Sequence, residues 1–531
     1  MKKLLKQLLA VTTAIMMAIT LLPAMANAEK TARTTGTLQI IKHGKDKETL
    51  LGGAEFTFYK LASITNNAGT DWKYAVVEHY KDVLGSTEAK NLNDLPSKTW
   101  EEKGTIDKLS VLAESDSSGI SSGSTAADGE EKGYTPKTEL NFGVYLVKET
   151  TTPSGHVAWE PFIVSIPSTN NYDGKETECT SFVYDIVAEP KNSEVPVEKT
   201  ADDTSVAIGQ KVTYTVNTTI PKYGTEYFYT DKNGNKVVPK FEVYDTLSEG
   251  LTLDENSIKV KVGNDGISSA NYTIKFKDTD PDIAPKTFLL SFNSDYLKTM
   301  GSSQAITITY SATVNEKAAY KNGNTAGVNY SNKPGENKVG KPVESEEDVY
   351  TYGIDLTKTG DKTSDDEKGL NGAKFTLSSE NGELLTVLIN GDKVTVNKKT
   401  TDSRATANYN NADGKLVFKG LAEGTYTLTE KEAPAGYTLL KNPITIVIEA
   451  NNDGTIKSAT VNGKPKSTLK EKDETTGETI ETGVVPVEIK NHSGFTLPGT
   501  GGMGTYIFTI GGLVVMAGAV LLLVSSKKKR A

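Results

Sequence analysis

The chain is poor in the residues that carry most catalytic and redox chemistry. It has one cysteine, Cys179, four histidines and three tryptophans in 531 residues. A single thiol permits neither an intrachain disulfide nor a cysteine-based zinc site, and it reads as a buried or inert thiol. His43, His79, His156 and His492 are scattered without ligand spacing, so no metal site is expected. Positive charge is short as well: 59 Lys+Arg stand against 68 Asp+Glu, a net charge of −9. That balance offers no basic groove and excludes nucleic acid as an expected partner. No phosphate loop, nucleophile elbow or redox pair occurs in the sequence, so no cofactor is expected and the chain does not read as an enzyme.

What is present is length, glycine (47), tyrosine (23) and two unusual ends. The length predicts three or four domains, each large enough to bury a core. Residues 1–28 read as a secretory signal. Lys2, Lys3 and Lys6 precede an apolar run from Leu8 to Leu22, and Ala26-Asn-Ala28 forms a small-residue cleavage site before Glu29. At the other end, Leu497-Pro498-Gly499-Thr500-Gly501 precedes an apolar stretch from Ile507 to Val524 and then Lys527, Lys528, Lys529 and Arg530. The stretch is long enough to span a bilayer, with the basic tail holding the cytoplasmic side. Removing both ends takes away seven basic and no acidic residues, moving the net charge from −9 to −16. Such a charge suits a soluble, self-repelling surface stalk.

The order of pentapeptide, span and basic tail resembles the sorting signal of Gram-positive surface proteins. The resemblance implies cleavage by a sortase between Thr500 and Gly501, with the Thr500 carbonyl then joined to an amine.

Between the ends, short Val/Ile/Thr/Tyr-rich runs alternate in polarity and are separated by Asn-Gly, Asp-Gly and Pro-Gly signals. Lys211–Asn217, Ala305–Val314 and Pro443–Glu449 are examples. They read as half-buried strands of sandwich domains. Asp231-Lys-Asn-Gly-Asn235 shares its pattern with part of a calcium loop, but Asn-Gly between strands is more often a hairpin turn. From Leu92 to Ser118 the spacing of Trp100, Ile106, Leu109 and Leu112 changes to a helical one, which predicts a small helical insertion. Internal similarity organises the rest. Leu51-Gly-Gly-Ala-Glu-Phe-Thr-Phe parallels Leu370-Asn-Gly-Ala-Lys-Phe-Thr-Leu, and Gly143-Val-Tyr-Leu-Val-Lys-Glu149 parallels Gly424-Thr-Tyr-Thr-Leu-Thr-Glu430. The first and last modules are thus expected to be alike, flanking a different middle one. The expectation is all-β: tandem Ig-like or Cna-type β-sandwiches in a linear array, at 29–192, 193–345 and 346–494, followed by the sorting segment 495–531.

Tyr426-Thr-Leu-Thr-Glu430-Lys-Glu-Ala-Pro434-Ala-Gly-Tyr437 closely resembles the E-box of sortase-assembled pilins. The middle module resembles the D2 module of the same family, through Val197-Glu-Lys199-Thr-Ala, Val243-Tyr-Asp245-Thr-Leu and Tyr330-Ser-Asn332-Lys-Pro. With the sorting signal, the chain resembles the backbone subunit of a Gram-positive pilus.

This resemblance implies an intramolecular Lys–Asn isopeptide bond in each module, formed autocatalytically beside an acid. Buried lysine loses its charge and becomes a nucleophile, while the carboxyl polarises the amide and moves protons. The implied trios are Lys42, Glu149 and Asn192 in the first module, and Lys358, Glu430 and Asn491 in the third. In the middle they are Lys199, Asp245 and Asn332. Lys45 competes with Lys42, and Asn324 and Asn329 compete with Asn332. Most strand lysines and turn asparagines are simply solvated; recurrence at equivalent positions sets these apart. The lack of disulfides agrees, since an exported shaft needs other covalent reinforcement.

The resemblance also implies an inter-subunit lysine. Ala188-Glu189-Pro190-Lys191-Asn192 stands where the family's Tyr-Pro-Lys-Asn-like pilin motif belongs, with Glu189 in place of tyrosine. Lys191 is the expected acceptor for Thr500 of the next subunit. Implied partners are further copies of the chain, pilus-specific and housekeeping sortases, peptidoglycan, accessory pilins and host surface ligands. The implied location is the cell wall, after a transient membrane stage. The rival expectations are a monomeric wall-anchored adhesin or an accessory pilin, which share every feature except a polymerising Lys191. A wall-anchored hydrolase is a weaker rival, for want of a catalytic constellation.

Overall fold

The structure is a computed structural model. It describes residues 33–494 apart from 68–70, 170–181, 232, 335–341, 362–368, 381–384, 390–391, 397–403, 407–413 and 474–476, together with 503–528. The signal segment with Ala28 and Glu29, the pentapeptide Leu497–Gly501 and Cys179 lie outside the described residues.

Among the described residues three hydrophobic cores follow one another along the chain, and many of the strands that cover them alternate their side chains in and out. Lys211–Ile220 shows the rule: Val212, Tyr214, Val216, Thr218 and Ile220 are buried while their neighbours are not. This is the period-two pattern read from the sequence.

In the first unit, Thr35–Ile40 pairs antiparallel with Thr138–Asn141 and parallel with Asp185–Ala188. The opposing sheet runs Lys90–Asn91, Asp71–Val76, Glu55–Asn67, Gly143–Thr151, Phe162–Ile166. Short helices fill the stretch between Asp71–Val76 and Ile120–Ser124, among them Ser97–Glu101 and Lys103–Ala113. Trp100 and Leu109 are buried in the core beneath them, and Ile106 and Leu112 pack partly against it.

The third unit repeats the plan. Tyr352–Thr359 pairs antiparallel with Lys415–Leu421 and parallel with Val484–Lys490. Lys374–Ser379 and Gly424–Glu432 are neighbours in the opposing sheet. The sequence repeat is a structural one as well: Phe56 pairs with Glu149 and Phe375 with Glu430 at the same place in each register.

The middle unit has two five-stranded sheets. One orders Val197–Ala201, Lys211–Ile220, Gln304–Val314, Leu251–Val262, Asp265–Gly266; the other orders Tyr272–Phe276, Phe288–Phe292, Phe241–Leu247, Lys321–Tyr330, Val343–Tyr350. Their inner faces meet through aromatic rings, such as Phe288 edge-on to Tyr310 at 5.3 Å, a favourable arrangement beyond the area it buries.

Met503–Lys528 forms a helix, and its described side chains, at 509–522, are largely exposed. Among the described residues no helix is long and apolar enough to cross a membrane.

Candidate functional site

In the first unit the chain runs two residues past Thr35–Ile40 to Lys42, and four past the parallel strand Asp185–Ala188 to Asn192. Parallel pairing brings both strand ends out on the same side, so the two side chains meet. Glu149 comes from the opposing sheet. Lys42 Nζ donates to Glu149 Oε2 at 2.8 Å, and Asn192 Nδ2 donates to Glu149 Oε1 at 2.8 Å. The Trp159 N–H also donates to Oε2, at 3.0 Å. All three side chains are buried, Lys42 completely, whereas Lys45 is exposed. Loss of hydration pushes the Lys42 amine below the usual lysine range.

The third unit has the same layout. Lys358 lies at the end of Tyr352–Thr359, and Asn491 follows its parallel partner Val484–Lys490. Asn491 Nδ2 donates to Glu430 Oε1 at 2.9 Å and to Oε2 at 3.1 Å. The Leu440 N–H donates to Oε2 at 2.8 Å, ten residues on from the glutamate, the separation also seen between Glu149 and Trp159. Lys358 Nζ donates to the carbonyls of Thr359 and Ile489 at 3.2 and 3.3 Å. Burial lowers its amine to about 8, which makes the neutral, nucleophilic form accessible near neutral pH.

The middle unit differs, and one expectation is corrected here. Asn332 does not join Lys199 and Asp245. It lies beyond the end of Lys321–Tyr330, and its carbonyl accepts the N–H of Ala158 in the first unit at 2.7 Å. Asn329 faces away from the core and donates to Glu242 at 3.4 Å. The residue brought to the site is Asn324, which alternation within Lys321–Tyr330 turns fully inward. Antiparallel pairing sets Leu247 opposite Asn324 and Asp245 opposite Ala326.

Lys199 arrives from the other sheet, and its Nζ is 2.5 Å from Asp245 Oδ2. A fourth group, which the sequence reading missed, completes the cluster. The Tyr310 hydroxyl accepts from Lys199 Nζ at 2.5 Å and from Asn324 Nδ2 at 2.8 Å, and donates to Asp245 Oδ2 at 2.8 Å. Burial lowers the Lys199 amine and raises the Asp245 carboxyl, so both groups move toward their neutral forms. The signal for Tyr310 was an inward-facing tyrosine in Ala305–Val314, since a buried phenol needs a hydrogen-bond partner.

Among the described residues, Oδ1 of Asn192, Asn324 and Asn491 is buried without a hydrogen-bond partner in every unit. An unpaired buried carbonyl costs about 1–3 kcal/mol, and its recurrence marks each amide as a special position.

Lys191, next to Asn192, is half-buried and forms a parallel bridge with His43. The His43 N–H donates to the Pro190 carbonyl and the Asn192 N–H to the His43 carbonyl, both at 3.0 Å. Glu189, at the departure from the pilin motif, places its carboxylate 3.7 Å from His43 Nε2. Asp231 caps a tight turn by accepting the N–H groups of Asn233 and Asn235, between the paired strands Tyr229–Thr230 and Lys236–Val237. Among the described residues no group of acidic, histidine and cysteine side chains could hold a metal ion.

Three family descriptions match the chain: a cell surface antigen I/II C2 terminal domain at 189–343, a prealbumin-like fold domain at 354–464 and an LPXTG cell wall anchor motif at 489–530. Fimbrial subunit type 1 of Actinomyces viscosus is 26% identical over 467 residues, covering 80% of each chain. The trypsin-resistant surface T6 protein of Streptococcus pyogenes is 25% identical over 434 residues, covering 68% of this chain and 73% of its own. Among solved structures, the full-length major pilin SpaD of Corynebacterium diphtheriae superposes with a TM-score of 0.52 at 22% identity, covering 89% of this chain and 100% of that one. The T6 backbone pilin of Streptococcus pyogenes gives 0.52 at 18% identity, covering 88% and 100%. The structural likeness shows a shared modular fold. The wall-anchor motif and the fimbrial relatives agree with it, and the chain is similar to the major pilins of Gram-positive pili.

Proposed function

We propose that the chain is the shaft subunit of a covalently polymerised pilus, in which sortase joins Lys191 of one subunit to Thr500 of the next. The terminal Thr500 is joined to peptidoglycan. The precursor is held in the membrane beforehand by the eighteen-residue apolar run Ile507–Val524, of which the structure describes the side chains of 509–522 alone. Each unit then carries an internal Lys–Asn bond, Lys42–Asn192, Lys199–Asn324 and Lys358–Asn491, with Glu149, Asp245 and Glu430 as the acids. In each, neutral Nζ attacks the asparagine Cγ, the Cγ–Nδ2 bond breaks and ammonia leaves.

The observation that carries the reading is the adjacency of Lys191 and Asn192. The proposed linking lysine is pinned by the His43 bridge, one residue from an asparagine that shares Glu149 with Lys42. A pull on Lys191 therefore passes straight into a bond between the first and last strands of the unit. A monomeric wall-anchored adhesin would make no use of Lys191 as an acceptor.

The test is a denaturing gel of wall extracts from cells carrying the wild-type chain or Lys191→Ala. A high-molecular-weight ladder that collapses to monomer in the variant is the expected result. A surviving ladder moves the linkage to another lysine, and absence of a ladder in the wild type favours the adhesin.

A further inference from the structure

The two outer sites and the middle site solve the same chemical problem with different parts. In the outer units the asparagine amide touches the acid directly, Asn192 on Glu149 and Asn491 on Glu430. Aspartate is one methylene shorter, and in the middle unit Asn324 Nδ2 connects to the acid through the Tyr310 oxygen. That oxygen also receives Lys199 Nζ, so it contacts nucleophile, acid and leaving group at once. The Tyr310 side chain is 1% exposed, so bulk solvent does not reach it. The ring is fixed by stacking on Tyr214, with centroids 5.5 Å apart, and Lys199 Nζ lies 5.1 Å from the centroid of each ring.

We propose that Tyr310 is a catalytic residue of the middle unit, the hydroxyl that carries a proton from the attacking amine to the departing amide nitrogen. This rests on the proposed Lys199–Asn324 bond. Two protons must leave Nζ for the bond to form from the ammonium. The first goes directly to Asp245 Oδ2, 2.5 Å away, giving a neutral amine and a carboxylic acid. Nζ then attacks Cγ of Asn324. As the Nζ–Cγ bond forms, the Tyr310 oxygen accepts the second proton from Nζ and passes its own hydroxyl proton to Nδ2. The Cγ–Nδ2 bond breaks and ammonia leaves. Asp245 ends protonated and Tyr310 is regenerated, so no outside acid or base is needed. Burial keeps the phenol well above its ordinary range, so it acts as a relay and not as a standing phenolate.

The test uses the full mature chain, followed by mass spectrometry of the peptide that joins the Lys199 and Asn324 segments, at set times after synthesis. In Tyr310→Phe, which keeps ring and packing, the cross-linked fraction is expected to rise roughly a hundredfold more slowly, within the usual range for a lost proton-transfer group. The bonds of the outer units form normally. Tyr227→Phe removes another buried hydroxyl of the same core, one that touches none of Lys199, Asp245 and Asn324, and is expected to keep the wild-type rate. A Tyr310→Phe chain that cross-links at the wild-type rate overturns the proposal, as does an equal loss in Tyr227→Phe. Placing 3,5-difluorotyrosine at position 310 keeps the ring nearly the same size but makes the hydroxyl more acidic. An unchanged rate there overturns the proposal even if Tyr310→Phe proves unfolded. Asp245→Ala and Asn324→Ala serve as references. If the wild type itself lacks the Lys199 cross-link, the underlying bond is wrong; if only Asp245→Ala and Asn324→Ala lose it, the relay alone is wrong.

Discussion

The outer units and the middle unit bury the same kinds of side chain in two different geometries. In the outer units lysine and asparagine stand at the ends of adjacent parallel strands of one sheet, and the acid reaches across from the other. In the middle unit lysine comes from one sheet, and aspartate and asparagine from the other. A bond in the outer geometry ties the first strand of a unit to its last, where tension along the chain enters and leaves. A bond in the middle geometry rivets two sheets together. The longer glutamate reaches its asparagine directly in the outer units, while the shorter aspartate reaches its asparagine through a tyrosine in the middle one.

The comparison is broken most forcefully by removing a bond. Each proposed bond closes a loop of more than ~100 residues, for which the chain-entropy account gives about 5 kcal/mol. Asn491→Ala or Asn324→Ala is expected to lower the melting temperature of its own unit by roughly 15–25 °C. Calorimetry with an intact mass that shows one ammonia fewer lost checks both. Under force the two variants should part company, the outer one failing earlier because its terminal strands are no longer joined. Equal rupture forces would erase the distinction between the geometries.

A smaller effect separates a free amine from an amide. In Asn491→Ala the Lys358 amine stays free, with its proton affinity lowered to about 8 by burial. Between about pH 8 and the ordinary lysine value, the unfolded chain then binds more protons than the folded one, so stability rises with pH. Denaturant unfolding of that variant should gain on the order of 2 kcal/mol from pH 7.5 to pH 10, while the wild type, its nitrogen locked in an amide, shows no matching rise. Parallel curves for the two would mean that the wild-type amine is also free.

The smallest effect is expected at Asn332. Its contact with Ala158 is made by the main-chain carbonyl, so Asn332→Ala should leave the middle bond intact and stability within about 0.5 kcal/mol. Loss of the Lys199 cross-link in that variant would restore Asn332 to the site in place of Asn324.

Strand alternation, the repeat of the outer units and their two trios were legible because each depends on local pattern. The Phe-Thr run and the glutamate run recur with the same spacing, so they fall into the same register, Phe56 with Glu149 and Phe375 with Glu430. The middle asparagine was not legible. Alternation along Lys321–Tyr330 turns Asn322, Asn324, Ala326, Val328 and Tyr330 inward, which excludes Asn329 but leaves two asparagines. Choosing between them requires the register against Phe241–Leu247, where Ala326 faces Asp245. Tyr310 was hidden for the same reason: it is the single aromatic of Gln304–Val314, but the strands it faces were unknown.

The sequence by itself determined the strands, the duplicated outer plan, the wall-anchor motif and the candidate lysines and acids, since composition and period two are properties of short segments. Only the tertiary structure decided that Lys42 is buried and Lys45 exposed, that Asn324 and not Asn332 lies beside Lys199 and Asp245, and that a tyrosine hydroxyl bridges the middle site. Burial and cross-strand register depend on segments far apart in the chain, and those two quantities set whether a lysine stays a solvated cation or becomes a nucleophile.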